Sequence, residues 1–206
     1  MKKYSRIIWL LFAIINIFGV LIYFWFNTNF YINHFSPIIM FESDISDMQS
    51  VYNYIQNQSS DLTSNFTSSE INHLYDVKVI FQYIIYLLYA AILIFIIITL
   101  FLIFIQKHKI IYRWLFIGSI VSLSIVFVLL LAIMLDFNYS FRVFHYLLFP
   151  QWNREFPADS RLITLFPESF FNSISQSIFI TIIIISLIFT IPKIYFKFNH
   201  QSDYSD

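Results

Sequence analysis

Four stretches of the chain, roughly 7–26, 79–105, 114–135 and 174–196, are apolar almost throughout. Each is long enough to cross the ~30 Å hydrocarbon core of a bilayer as an α-helix. The fourth is the least uniform, because Asn172, Ser173, Ser175, Gln176 and Ser177 crowd its start, which burial inside a helical bundle would accommodate. In the polar stretch 41–58, Ile45, Met48, Val51, Tyr52 and Ile55 recur near helical spacing. That pattern predicts an amphipathic helix lying on the membrane or capping the bundle. Thr67-Ser68-Ser69-Glu70 has the form of a capping box, in which Thr67 caps a helix start and Glu70 reaches back. No breaker follows until beyond Ile105, so the second span is predicted to be one long helix whose first turns project above the bilayer. Glu70, His73 and Asp76, three apart, share one strip of that projection. The stretch 141–167 is too apolar for a solvated loop and too interrupted, by Pro150, Pro157 and Pro167, for a span. It predicts a short interfacial helix around 141–149, then an extended segment over the bundle mouth. Irregular backbone at membrane depth is tolerated only where it lines a protein cavity or a wet cleft.

Charge orients the spans. Lys2, Lys3, Arg6, Lys107, Lys109, Arg113, Lys193 and Lys197, eight of the twelve basic residues, fall on one side, opposed by Asp203 and Asp206. The other side carries Lys78, Arg142, Arg154 and Arg161 against ten carboxylates. An excess of Lys and Arg marks the cytoplasmic side, so both termini are expected there and two long loops, about 28–77 and 137–173, outside. The first apolar region, about twenty residues, exceeds a signal-peptide core and no small-x-small site follows, so it is expected to remain as an anchor. Residues are 59% hydrophobic and 12% charged, with two Gly and five Pro, which leaves few turn formers. The expected fold is therefore an all-α integral membrane protein: one membrane domain over 1–206, four transmembrane helices, and two exterior loops with interfacial helical segments. The absence of cysteine excludes disulfides, thiol nucleophiles and thiolate metal sites. No basic nucleic-acid motif appears, which sets that partner class aside. Neither an internal repeat nor mid-membrane charge favours a transporter.

Two histidines stand at the outer ends of predicted helices, on the exterior side and near carboxylates: His73, within 70–78, and His145, after Phe141-Arg142-Val143-Phe144. Ionisable groups near membrane depth are functional suspects, and imidazole titrates in the range acid–base chemistry needs. Structural alternatives stand beside that reading. His145 fits an interfacial residue bonded to a neighbour, and His73 fits a helix-surface ion pair with its flanking acids. No metal is expected, because there is no His-Glu-x-x-His spacing and side chains at i, i+3 and i+6 of a straight helix cannot aim at one point. No Gly-x-Ser-x-Gly supports a serine nucleophile; the two glycines are Gly19 and Gly118. Asp159 and Arg161 fit an ion pair or cap, while Trp152 and Arg154 fit headgroup contact.

Four spans with both ends inside, Glu70-x-x-His73-x-x-Asp76-Val77-Lys78, Phe144-His145, Phe156-Pro157-x-Asp159-Ser160, and Leu165-Phe166-Pro167-Glu168-x-Phe170-Phe171 together carry a resemblance. The chain resembles the lipoprotein intramolecular transacylases, over nearly its whole length in topology and specifically over about 70–78 and 144–171. It departs in one place: the family pattern has a Trp two residues before the Phe-Pro pair, where Arg154 stands here and Trp152 is displaced. The resemblance implies an acyltransferase of the bacterial cytoplasmic membrane with its site on the extracellular face. Such an enzyme moves the sn-2 acyl chain of a lipoprotein's diacylglyceryl-cysteine to the α-amino group of that cysteine, giving a lyso-form N-acyl lipoprotein. It implies catalytic roles for His73 and His145, one as base and one as oxyanion or leaving-group partner. Glu70, Asp76 or Asp159 would orient an imidazole, and Arg154, Trp152 and Arg161 would contact substrate. The implied partners are diacylated lipoproteins and membrane lipid, with no cofactor, since ester-to-amide transfer is downhill. Two other functions stay open at this point. One is a non-enzymatic scaffold or sensor; the other is a His-dependent lipid or lipoprotein ester hydrolase, with water in place of the amine.

Overall fold

Residues 7–27, 42–62, 65–149 and 156–202 are described by the computed structural model, and they form helices and no strands. In chain order these are α1 (Ile7–Phe26), α2 (Glu42–Ile55), α3 (Ser68–Phe104), α4 (His108–Leu135), α5 (Phe137–Leu148), α6 (Arg161–Leu165) and α7 (Glu168–Ser202). Four of them, α1, α3, α4 and α7, are long and apolar enough to cross a membrane. Leu93, Ile97, Leu100 and Phe104 are more than half exposed on α3. Lipid chains solvate such side chains as well as a protein interior does.

Helix ends explain where the sequence reading and the structure differ. The 37 residues of α3 reach about 55 Å at 1.5 Å per residue, against a ~30 Å hydrocarbon core. Its charge-free run begins after Lys78, so 79–104 is the part apolar enough to span and 68–78 is the part expected to project. The projection starts as the capping box requires: Glu70 Oε2 accepts the Thr67 N–H (2.8 Å) and Thr67 Oγ1 accepts the Glu70 N–H (3.3 Å). At its other end Gln106 adopts φ 56°, and Lys107 N–H donates to the Leu102 carbonyl (2.8 Å). This is a left-handed closure that usually takes glycine. Two of these helices begin earlier than their apolar runs, α4 at His108 and α7 at Glu168, because a helical hydrogen-bond ladder does not require apolar side chains. The segment expected to be extended contains a short helix instead. Ser160 Oγ caps α6 by accepting the Ile163 N–H (3.3 Å), and Leu162 and Leu165 are buried.

The chain forms two compact units. The first comprises residues 1–21, 86–131 and 177–206. Within it Ile8, Leu102 and Ile111 form a buried cluster, and Phe12 packs edge-on to Phe189 at 4.9 Å. Gly118 of α4 lies so near α1 that an added Cβ would meet the Trp9 carbonyl oxygen at 2.7 Å. Close backbone approach at a small residue is the usual way membrane helices pack. Asn16 Nδ2 donates to Ser186 Oγ (2.8 Å), linking α1 and α7 by a buried hydrogen bond.

The second unit comprises residues 22–85 and 132–176. Here α2 buries Met48, Val51, Tyr52, Tyr54 and Ile55 along one face, so its apolar stripe is covered by protein. Tyr52 packs against Trp25 (5.4 Å) and Phe166 (6.1 Å), and Trp25 against Phe81 (4.2 Å). An ionic clamp fastens α6 to α2, with Arg161 reaching Asp44 and Asp47 at 2.6 Å each. Asn65 donates to the same Asp47 carboxylate at 2.9 Å.

Candidate active site

His73 lies two turns into α3, on the face that Glu70 shares. Both are buried, at 7% and 1% exposed, whereas Asp76 is half-buried. Phe149 (4.8 Å) and Phe156 (5.4 Å) cover the imidazole, and its Nδ1 has no hydrogen-bond partner among the described residues. Burial, then the nearness of His145, push the ring down to about 4, against an opposing pull from Asp76.

His145 lies in the last turn of α5. That helix starts where Asp136 Oδ1 accepts the Tyr139 N–H (2.9 Å). Asn138 Nδ2 donates to both carboxylate oxygens of Glu168 in the first turn of α7, and Phe141 packs on Phe171 at 5.1 Å. So anchored, α5 holds the His145 ring nearly parallel to His73, at 6.2 Å between centroids and 18° between planes. Phe141 (4.1 Å), Phe144 (5.6 Å) and Phe149 (5.7 Å) surround it.

His145 Nδ1 is 2.9 Å from the Phe141 carbonyl oxygen. A carbonyl only accepts, so Nδ1 carries the proton, and the neutral ring presents Nε2 as a lone pair. Burial lowers the pKa of His145, and the bond to Phe141 works the other way. The arrangement is two imidazoles, both neutral at pH 7, in a phenylalanine surround with one tautomer fixed. Such a pair is equipped to move protons in a place poor in water. Among the described residues no three His, Asp or Glu side chains converge as a metal site.

The other candidates are placed differently from one another. Glu70 does not orient an imidazole. Oε2 accepts the Thr67 N–H and hydroxyl, each at 2.8 Å, and Oε1 accepts the Leu162 N–H at 2.7 Å. Burial opposes ionisation of Glu70, yet these bonds hold its carboxyl below the ordinary range, as an acceptor of α6. Asp76 acts on His73 through space. Asp159 is exposed in the turn before α6 and is hydrogen-bonded to neither ring. Arg161 is not poised for substrate, because its guanidinium is occupied by Asp44, Asp47 and the Ser43 carbonyl. Trp152 and Arg154 lie outside the described residues. Sequence reasoning quoted Phe156 and Glu168 only as motif residues without a site role, and it missed Phe149, Asp47 and the tie from Asn138 to Glu168. Only Asp47 had a local signal: an acid on the buried face of an amphipathic helix requires a partner.

Solved structures share this fold. One is the in meso structure of the membrane integral lipoprotein intramolecular transacylase Lit from Bacillus cereus, 22% identical, covering 98% of this chain and 100% of that one with a TM-score of 0.72. Two others are of the same Bacillus cereus protein with a histidine mutated, to arginine (TM-score 0.65) or to alanine (TM-score 0.66). Each is 22% identical and covers 98% of this chain, and 96% and 97% of theirs, respectively. No curated protein matches the sequence. The fold and its four membrane-capable helices make the chain a multi-pass membrane protein. A family model described as lipoprotein intramolecular transacylase Lit matches residues 3–171, most of the length, and the chain belongs to that family.

Proposed function

We propose that this protein moves the sn-2 acyl chain of a diacylglyceryl-cysteine to the α-amino group of the same cysteine, with His145 as base and His73 as oxyanion and leaving-group partner. The observation that carries the reading is the facing pair of imidazoles, of which His145 offers Nε2 as a lone pair. The α-amino group, with an ordinary pKa near 8, must lose a proton as it attacks the ester carbonyl. Nε2 of His145 takes that proton while the new C–N bond forms. His73 hydrogen-bonds the charge developing on the carbonyl oxygen. Collapse breaks the C–O bond to glycerol, and the proton passes from imidazole to the departing oxygen. The products are an amide and a free sn-2 hydroxyl, with the same total mass as the starting lipid. No acyl-enzyme is needed, since nucleophile and ester belong to one molecule. Holding them in attack geometry supplies several kcal/mol of the barrier.

Phe141, Phe144, Phe149 and Phe156 keep water from the ester. Asp76 tunes His73, while Asp159 is left without a catalytic role. The distribution of basic residues supports cytoplasmic termini, with the histidines facing outward from a bacterial cell membrane. Residues 1–206 act as one membrane domain. The substrates are diacylated lipoproteins, and no cofactor takes part.

Tandem mass spectrometry of N-terminal lipopeptides tests this, in a host that makes diacylglyceryl lipoproteins, with the protein, without it, and with His145→Ala. The expected result is an isobaric conversion to N-acyl, monoacylglyceryl cysteine that falls by roughly a hundredfold or more in the variant. An intact diacylglyceryl cysteine with a free amine, despite inserted protein, would overturn the reading in favour of a scaffold or sensor. Loss of one acyl chain without N-acylation would make the protein a hydrolase.

A further inference from the structure

Glu70 has a carboxylate 1% exposed that the acyl transfer above does not use. Oε2 closes the start of α3, where His73 resides, while Oε1 accepts the Leu162 N–H (2.7 Å) in the first turn of α6. One side chain thus ties the two helices. The tie continues backward from α6 through a stiff turn. Ser160, the cap of α6, donates its own N–H to the Pro157 carbonyl (2.9 Å), and Pro157 has a fixed φ. Immediately before Pro157, the Phe156 ring packs edge-on against His73 at 5.4 Å and 66°. Arg161, next to Leu162, is fastened to Asp44 and Asp47. The ring over His73 is therefore held by the seat of α6, and α6 is seated by Glu70 and Arg161.

We propose that Glu70 is a positioning residue: through the Leu162 N–H it seats Phe156 on His73 and so sets how much of the ester goes to the amine and how much to water. This role rests on the acyl transfer proposed above. Both outcomes begin with the same ester and break the same C–O bond to glycerol. In transfer, the amine nitrogen bonds to the carbonyl carbon and its proton ends on the glycerol oxygen. In hydrolysis, the oxygen of water forms that bond, one of its protons goes to glycerol, and a fatty acid leaves. Water is kept out only by filling the space beside the reacting group. The amine is tethered to its ester and keeps a high effective concentration even when the surround loosens. Unseating Phe156 therefore raises hydrolysis more than it lowers transfer.

The test counts N-acyl lipopeptide and free fatty acid together for wild type, Glu70→Ala, Glu70→Gln, Phe156→Ala and the Glu70→Ala/Phe156→Ala double variant. Phe156→Ala is expected to shift the product ratio towards fatty acid by roughly tenfold, and Glu70→Ala by a similar factor. The double variant is expected to shift it no further than the larger single change, because both act through one ring. Glu70→Gln, whose amide oxygen still accepts from one side of the tie, is expected to fall between. An unchanged ratio in the Glu70 variants, with total turnover merely reduced, would overturn the role, as would multiplied effects in the double variant. Should Glu70→Ala not be recovered monodisperse, Glu70→Gln decides: a shift in Phe156→Ala with none in Glu70→Gln overturns the role. A wild-type protein that forms neither product sinks the transfer reading itself and this role with it.

Discussion

Replacing His73 by Phe is expected to flatten the acid side of the stability profile. His73 is 7% exposed, and burial with the neighbouring His145 pushes its imidazole down to about 4. In the unfolded chain the ring titrates near 6.5. Below that pH the unfolded state takes up a proton that the folded state refuses. The contribution is fully present above 6.5, declines as the pH falls from 6.5 towards 4, and declines no further below that. A tenfold difference in proton affinity corresponds to ~1.4 kcal/mol. Between pH 7.5 and pH 5 the loss from this one ring is then about 2 kcal/mol. Phe keeps the ring contacts with Phe149 and Phe156 and never titrates. Unfolding of the purified protein and of His73→Phe would be followed in detergent micelles at both pH values. The carboxylates and His145, shared by both proteins, largely cancel in the difference. Wild type should lose about 2 kcal/mol more than the variant over the interval. Equal losses would refute the account, since His73 would then be solvated well enough to take its proton in the folded state.

Arg161→Ala removes the cation that faces Asp47, whose carboxylate is 2% exposed, and is expected to destabilise the protein by about 3–5 kcal/mol in denaturant titration. A loss under about 1 kcal/mol would make the clamp equivalent to a surface ion pair. Gly118→Leu forces a Cβ to within 2.7 Å of the Trp9 carbonyl and 2.9 Å of Phe12 Cδ1, and should cost about 1–3 kcal/mol, read as a lowered Tm. Gly19→Leu, with nothing within 4 Å of its Cβ, is the matched control and should leave the Tm nearly unchanged.

The first span, the amphipathic α2 and the capped start of α3 were legible because each is encoded by spacing within a few residues. Thr67 and Glu70 need only each other to define a helix start. The juxtaposition of His73 and His145 was not derivable from spacing. It depends on α5 being docked by Asn138 on Glu168 and by Phe141 on Phe171, contacts between segments that share no local pattern. Arg161 illustrates the same limit. Its nearest acid in sequence is Asp159, yet its partners are Asp44 and Asp47 on a helix far earlier in the chain. The turn between α3 and α4 was expected from the end of one apolar run near 105 and its basic residues, but its backbone form was not. Its left-handed residue is Gln106, not the glycine that would have announced it.

Among its described residues the second unit buries two carboxyl groups, Asp47 and Glu70, and one imidazole, His73, and treats them in two ways. Asp47 receives Arg161 and Asn65, and Glu70 receives donors from Thr67 and Leu162. His73 keeps Nδ1 without a partner among the described residues. Burial is similar for all three, so satisfaction separates them. An unpaired buried carboxylate would have to give up its charge, whereas a neutral imidazole left half-satisfied costs only about 1–3 kcal/mol. The carboxylates are thereby committed to the framework, and the imidazole keeps a free valence for whatever enters. Among the described residues neither ring is hydrogen-bonded to a carboxylate, and both have lowered pKa values. That makes the neutral rings weak bases and their protonated forms strong acids. In an O-to-N acyl shift the difficult departure is the glycerol oxygen, which leaves with a proton far more easily than without one. A Ser-His-Asp arrangement strengthens the base in order to create a nucleophile. In the proposed reaction the nucleophile is an amine that is already competent once it is dry and deprotonated, and the ring's task would shift towards returning the proton. One buried and one half-buried imidazole, neither bonded to a carboxylate among the described residues, suit that task better than an acid-supported pair.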